Sequence, residues 1–278
     1  MTDTTLPILV LGGTGKTGRR VADRLTRLGH QVRIGSRSAT PPFDWDDPAT
    51  WAPVLRGADA AYLAYYPDLA VPGAERVIGA LAEQAVASGV RRLVLLSGRG
   101  EEMAERCERL VRDAGAEWTI LRSSWMCQNF SESFLLEPVL AGEVALPVGS
   151  VPEPFVDADD IADVAAAALT DGRHAGQLYE LTGPRSLTFE EAAAEIAEAS
   201  GRPIGFLRIT QDEYDAALAA EGLSPDELAL VRYLFTTVLD GRNARPADGV
   251  QRALGRQPRD FTDYARAAAA TGVWDAAA

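Results

Sequence analysis

The sequence predicts an α/β protein: a doubly wound parallel sheet with a smaller C-terminal lobe. Three observations carry that expectation. Apolar runs of strand length recur at Ile8-Leu9-Val10-Leu11 and over 58–64, 91–97 and 118–122. Segments with helical spacing of apolar residues separate them, the rhythm of parallel strands covered on both faces. A turn rich in glycine, Gly12-Gly13-Thr14-Gly15-Lys16-Thr17-Gly18, joins the first run to the first helical segment. Crossovers in such a sheet are right-handed.

Taken in order, the first strand leads through this turn into a helix with Val21, Leu25 and Leu28 on one face, closed by Gly29. The second strand is Gln31-Val32-Arg33-Ile34-Gly35, and Pro41-Pro42 marks a loop after it. Phe43-Asp44-Trp45 reads as a short strand. Asp47 and Pro48 then suit the N-cap and first position of a helix that buries Trp51 and Leu55. The core strand 58–64 ends in Tyr65-Tyr66-Pro67, and a helix is expected over 73–88. The strand 91–97 ends at Ser97, a helix follows over 101–114, and the strand 118–122 follows that. Regularity changes after Arg122. A helix through Leu135-Leu136, a short strand over 143–147 and an alanine-rich helix over 159–170 come next, with Asp157 or Asp159 as its cap. A strand over 177–181 precedes a helix opened by Thr188 and Glu191 at capping-box spacing. The remainder reads as a strand over 204–209, helices near 211–221 and 225–239, a loop over 241–249 and a helix near 260–270. The expected division is a core over 1–150 and a mixed, interwoven lobe over 151–278.

Composition narrows the function. The 278 residues carry 27 basic and 40 acidic side chains, a formal net charge of −13, which argues against nucleic acid as a direct partner and against an anionic membrane. No apolar run has the length of a membrane span and no signal peptide pattern opens the chain, so the expected location is the cytoplasm. Cys107 and Cys127 make no disulfide framework, and His30 and His174 without clustered cysteines argue against a zinc site. His174, in an Asp-Gly-Arg-His turn, is expected at the surface.

Gly12, Gly15 and Gly18 fit a dinucleotide-binding turn of extended spacing: the first for the tight turn, the second for close approach of a pyrophosphate, the third for helix packing. The helix N-terminus would add N–H groups to the phosphates. Gly15-Lys16-Thr17 also resembles the end of a Walker A loop, but that motif needs a glycine where this chain has Val10. A cofactor without a 2′-phosphate favours an acidic residue after the second strand, whereas the chain has Ser36-Arg37. Arg37, helped by Ser36 and by Arg33 or Lys16, is therefore expected to bind the 2′-phosphate of NADP.

With these stretches, and with Trp118-Thr119-Ile120-Leu121-Arg122, Phe155-Val156-Asp157-Ala158-Asp159-Asp160-Ile161-Ala162 and Leu254-Gly255-Arg256-Gln257-Pro258-Arg259-Asp260-Phe261, the chain resembles the NmrA-like branch of the atypical short-chain dehydrogenases/reductases, Rossmann-like proteins. The resemblance covers nearly the whole chain. It implies NADP held by Gly12, Gly15 and Gly18, with Thr14, Lys16 and Thr17 in the same turn, and by Arg37. It implies that the backbone at Ala64 and Tyr65 and the Ser97 loop line the nicotinamide crevice. Members of that branch include NADPH-dependent quinone reductases, dye and imine reductases, and redox sensors without turnover. Conventional members of the superfamily place tyrosine and lysine four residues apart on a helix. Here the corresponding segment, 101–108, has neither, and Lys16 is the only lysine in the chain. The reaction expected is hydride transfer to an activated acceptor, a quinone or an imine or iminium, by positioning alone. Ser97, Tyr65 and Asn129 are the candidates to orient it, and Tyr66 and Trp125 the candidates to wall an aromatic or conjugated substrate. A sensor that binds NADP without turnover is the alternative, and the reading leaves room for a homodimer.

Overall fold

The computed structural model describes residues 6–275. Along the chain come β1 (Ile8–Leu11), α1 (Lys16–Arg27), β2 (Val32–Gly35), α2 (Trp51–Leu55), β3 (Ala60–Leu63), α3 (Ala74–Ala87), β4 (Arg92–Gly98), α4 (Glu102–Asp113) and β5 (Glu117–Ser123). Then follow α5 (Asn129–Glu132), α6 (Leu136–Ala141), β6 (Glu143–Leu146), α7 (Ala158–Thr170), β7 (Gln177–Leu181), α8 (Phe189–Ser200) and β8 (Gly205–Arg208). The last helices are α9 (Gln211–Ala220), α10 (Pro225–Tyr233), α11 (Gly249–Leu254) and α12 (Phe261–Ala269).

These elements form two compact units. The first takes the described chain up to Ser123, then Ala158–Leu181 and Asp248–Arg256; the second takes Ser124–Asp157, Thr182–Ala247 and the described residues from Gln257. The chain therefore changes unit several times, not once at residue 150, because α7, β7 and α11 return to the first sheet.

In the first unit the six strands run parallel in the order β2-β1-β3-β4-β5-β7. Ile8 stands opposite both Val32 and Ala60, so β1 is the strand from which the connections diverge to either side. Leu9, Leu11, Leu63, Leu93 and Leu95 pack with Trp51, Ile78, Leu81 and Val111 of α2, α3 and α4. The alternate residues Val10, Tyr62 and Val94 point to the opposite face and are buried too. Helix α7 packs on α1, where Arg24 reaches Asp159 at 2.6 Å and Asp163 at 2.9 Å. Phe43-Asp44-Trp45 is not a sheet strand. Its polar groups are spent locally: Trp51 Nε1 and Thr50 Oγ1 both donate to the Asp44 carbonyl, and only an isolated Asp44–Asp47 bridge remains. Asp47 does cap the following turn, accepting from the Ala49 N–H at 3.0 Å, but that turn is a 3₁₀ turn over Pro48–Thr50 leading into α2.

The second unit holds the two-stranded parallel pair β6-β8 and an aromatic core. Phe155 and Phe189 meet edge to face at 5.0 Å, and Phe130 and Phe261 at 5.8 Å. Trp274 Nε1 donates to the Phe130 carbonyl at 2.9 Å and the Tyr264 hydroxyl to Ser131 at 2.8 Å. The helix expected through Leu135-Leu136 is two short ones, α5 and α6, separated at Ser133, whose backbone is extended. Thr188 and Glu191 form the capping box of α8.

Candidate functional site

In an open parallel sheet the ligand crevice lies beyond the C-terminal ends of the strands, where the connections diverge. Here that point is the end of β1 and β3, and the glycine turn occupies it. Gly12 has φ +70°, a conformation that favours glycine, and a Cβ on it would stand 2.8 Å from the Ala64 carbonyl oxygen. A Cβ on Gly18 would overlap the Gly12 carbonyl, so the first turn of α1 lies directly on the loop. Gly15, exposed beside Thr14, is the N-cap of α1. No side chain caps that end and its first turn has no acidic residue. Its backbone N–H groups therefore suit a diphosphate, which would supply the missing acceptors and the negative charge. Thr17 is buried beside the fully buried Tyr62, so only its backbone faces the turn's open side. Lys16 is half-buried.

The end of β2 separates two arginines. The Arg33 guanidinium donates to the carbonyls of Val54 at 2.6 Å and Arg56 at 2.9 Å, which removes it from the expected phosphate cluster. Arg37 is exposed and makes no hydrogen bond or ion pair among the described residues. Ser36 holds the loop: its carbonyl accepts from the Ala39 and Phe43 N–H groups, and its hydroxyl lies 3.3 Å from that of Ser38.

At the ends of β3 and β4 the predicted residues have distinct surroundings. Tyr65 is half-buried with its ring edge-on to Trp45 at 5.0 Å, and Trp45 in turn meets Phe43 at 4.8 Å. Burial, with Asp46 and Cys107 nearby, pushes the Tyr65 phenol up, so it is a neutral hydrogen-bonding group at physiological pH. Tyr66 is 73% exposed. Ser97 is 3% exposed and its hydroxyl donates to Glu108 Oε1 at 2.7 Å. Glu108 is fastened to Arg122 by two bonds of 2.7 Å. With its proton given to Glu108, Ser97 has only acceptor capacity left. Sequence reasoning missed Glu108, yet Ala104, Cys107, Glu108 and Val111 recur at the spacing of one buried helix face. It also missed the half-buried Asp68 and the buried Glu101, neighbouring carboxyls that burial pushes up. Cys107 is inert: burial first, then Glu75, pushes its thiol up to about 12. Arg99 is ion-paired with Glu180 at 3.1 Å.

Trp125 and Asn129 belong to the second unit. Trp125 is half-buried among Phe235 at 5.3 Å, Phe189 at 5.5 Å and Phe134 at 6.2 Å. Asn129 opens α5, with its backbone N–H on the Met126 carbonyl at 3.0 Å. Asp157 accepts from Gln128 Nε2 at 2.8 Å, and Asp159 pairs with Arg24 in the first unit's α1–α7 contact. His174 is buried, contrary to the surface position expected of it. Its turn folds inward to bring Nδ1 within 2.8 Å of the Tyr179 hydroxyl, and burial pulls its pKa down. Among the described residues no group of three or more His, Cys, Asp or Glu could hold a metal ion, and no helix is long and apolar enough to cross a membrane.

The architecture is Rossmann-like: a parallel sheet flanked by helices, with a glycine turn at its crevice. The NAD(P)H-binding family model matches residues 12–172. A (4-alkanoyl-5-oxo-2,5-dihydrofuran-3-yl)methyl phosphate reductase of Streptomyces griseus is 34% identical, over 92% of this chain and 96% of its own. The oxidoreductase YesF of Bacillus subtilis, itself uncharacterized, is 33% identical over 96% and 98%. Among solved structures, an NADPH-dependent quinone oxidoreductase of Escherichia coli in complex with NADPH superposes with a TM-score of 0.76 at 20% identity, over 93% of this chain and 98% of that one. The chain belongs to the NAD(P)H-binding family and is an NAD(P)H-dependent reductase.

Proposed function

We propose that this protein reduces an activated small-molecule acceptor, a quinone or an imine or iminium, with NADPH and without a tyrosine–lysine pair. One observation carries the reading. The helix beside Ser97 presents Glu108, tied to Arg122, and has neither tyrosine nor lysine over 101–108. Tyr65 has its phenol pushed up rather than down, and no lysine stands near it in sequence. An unactivated ketone would lack the acid that polarises it, whereas a quinone or iminium is already electron-poor. The likeness to a quinone oxidoreductase supports the same substrate class.

In this reading the turn holds the pyrophosphate through the backbone of Gly12, Thr14, Gly15, Lys16, Thr17 and Gly18. Ser36 and Arg37 hold the 2′-phosphate, which selects NADP over NAD, and the Ala64 backbone flanks the nicotinamide. When bound, the cofactor supplies a hydride. In the first unit Ser97 accepts and Tyr65 donates to orient polar atoms of the acceptor, and Tyr66 offers a flat apolar face to a conjugated ring; in the second unit Asn129 and Trp125 are the candidate substrate contacts. The first unit is then the cofactor domain and the second the substrate lobe of a cytoplasmic enzyme. Stopped-flow oxidation of NADPH across quinones, iminium compounds and unactivated ketones tests this. Activated acceptors should turn over much faster, and turnover of simple ketones alone would overturn the reading.

A further inference from the structure

A cleft at the start of β7 takes no part in the reductase reading. The 3₁₀ turn Gly172–His174 leads from α7 into β7, so the cleft lies at the N-terminal end of an edge strand. The glycine turn and Ser97 stand at the C-terminal ends of their strands, across the sheet from it. Arg173 and His174 of the turn, Gln177 and Tyr179 of β7, and Arg252 and Leu254 of α11 line the cleft. All of them belong to the first unit. The volume is about 480 Å³, within the range of small-molecule sites. Two of the lining side chains are cationic and none of the described ones is acidic, in a chain whose net charge is −13. That contrast sets the sign of a ligand.

Four of the side chains touch in one line. Arg173 Nε donates to His174 Nε2 at 3.4 Å. An arginine only donates, so Nε2 accepts and the imidazole proton is on Nδ1. Nδ1 then donates to the Tyr179 hydroxyl at 2.8 Å, which leaves the Tyr179 O–H to donate elsewhere. The Arg252 guanidinium lies over the Tyr179 ring, 5.2 Å from its centroid. Its polar contacts are long: Gln177 Oε1 at 3.4 Å and Asp248 Oδ1 at 3.9 Å. Gln177 accepts through its carbonyl and keeps its amide N–H groups as donors. Arg173 also pairs with Asp171 at 3.0 Å, within the exposed part of the turn. The lining thus offers donors, and it holds two cations joined through His174 and Tyr179 with no acid between them.

We propose that this cleft is a second binding site, for the phosphate monoester of a small organic molecule whose apolar body rests on Leu254. A phosphate monoester presents three acceptor oxygens and ~2 negative charges at neutral pH, which suits two guanidiniums, a phenol and an amide. A carboxylate brings two oxygens and a single charge. The assignment is independent of the substrate class proposed above. His174 reports occupancy. Burial first, then Arg173 and Arg92, pull its pKa down, and Asp171 opposes them. Arg92 reaches it from β4 and is itself held by Glu117 of β5 at 2.8 Å, while Tyr179 faces it from β7 and Arg252 of α11 lies beyond Tyr179. A phosphate beside Arg173 offsets that cation, so binding raises the His174 pKa.

The test uses the full-length protein saturated with NADPH, so that the cofactor's own phosphate positions are filled. Phenyl phosphate is titrated in at constant ionic strength, with benzoate as the carboxylate probe. NMR follows the imidazole signals of the two histidines in the chain. With phenyl phosphate His174 should shift and titrate at higher pH, while His30 stays unmoved. Arg252 is exposed, so Arg252→Gln should keep the fold, as circular dichroism reads, and weaken phenyl phosphate binding at least about tenfold. Tyr179→Phe keeps the ring beneath Arg252 and removes only the hydroxyl; it should weaken binding by a smaller factor, about threefold to tenfold. An unmoved His174, equal affinity in folded Arg252→Gln, or benzoate bound as tightly as phenyl phosphate would overturn the assignment.

Discussion

Arg33 and Arg37 stand four residues apart, and the fold gives them opposite environments. Arg33 satisfies two backbone carbonyls, while Arg37 is exposed with no hydrogen bond or ion pair among the described residues. A free guanidinium after β2 is what a 2′-phosphate would pair with. Charge-assisted hydrogen bonds contribute about 1.5–3 kcal/mol. Arg37→Ala should therefore weaken NADPH binding roughly tenfold to a hundredfold and NADH binding far less, as read by calorimetry. Arg33→Ala should lower stability and leave the ratio of the two affinities unchanged; a shifted ratio would return Arg33 to the phosphate cluster. The difference between these arginines was not legible in the sequence, because it depends on carbonyls more than twenty residues away. Glu108 was legible in principle. Its position on a face with Ala104, Cys107 and Val111 marks it as buried, but a charge in a charged helix reads first as solvent-facing.

Among the elements, the glycine turn allows a test that separates folding from binding. Gly18 has only backbone above it, the carbonyl of Gly12 and the Cα of Gly13 at 2.8 Å from a Cβ, so neither neighbour can give way cheaply. Gly18→Ala should destabilise the cofactor-free protein by about 1–3 kcal/mol, the usual cost of overpacking, as measured by urea denaturation. Gly15 is exposed and its Cβ would stand 3.3 Å from the Gly12 carbonyl. Gly15→Val should leave the protein folded and impair NADPH binding; unchanged affinity would remove Gly15 from the phosphate site. A second elemental device is Asp260, the N-cap of α12, which accepts from the Thr262 N–H at 2.9 Å and from Arg185. Arg185 also reaches Glu195 of α8 at 2.7 Å, so one guanidinium ties the two helices. The Arg185 bond, foremost, pulls Asp260 down to about 2. A depressed folded pKa means stability that is present above the unfolded value near 4 and is lost as pH falls toward 2. Asp260→Asn should lower stability at neutral pH and flatten the acid loss between pH 4 and 2. An unchanged acid denaturation profile would show that the tie contributes nothing.

For the whole molecule, the rhythm of strand and helix up to Ser123 was legible because the strands other than β2 are apolar runs closed by glycine or polar residues. Beyond it the order of elements was legible too: 177–181 was read as a strand and 159–170 as a helix. What periodicity could not give was their membership, since sequence distance says nothing of which sheet a strand joins. β7 pairs with β5, Leu121 opposite Tyr179, and α7 packs on α1 through Arg24. α11 lies on β7 so closely that a Cβ on Gly249 would overlap the Glu180 carbonyl. A polypeptide of residues 1–150 would therefore lack an edge strand and two helices of its own unit, leaving β5 as an open edge and Arg24 without Asp159 and Asp163. Open edges and uncovered apolar faces favour aggregation over folding. Residues 1–150 expressed alone should give no cooperative unfolding transition, whereas residues 1–256 should retain the sheet of the first unit, and with it the helical and strand content seen by circular dichroism. A cooperative transition in the shorter polypeptide would mean that the first five strands, with α1 to α4, are sufficient, and that α7, β7 and α11 decorate a core that is already complete.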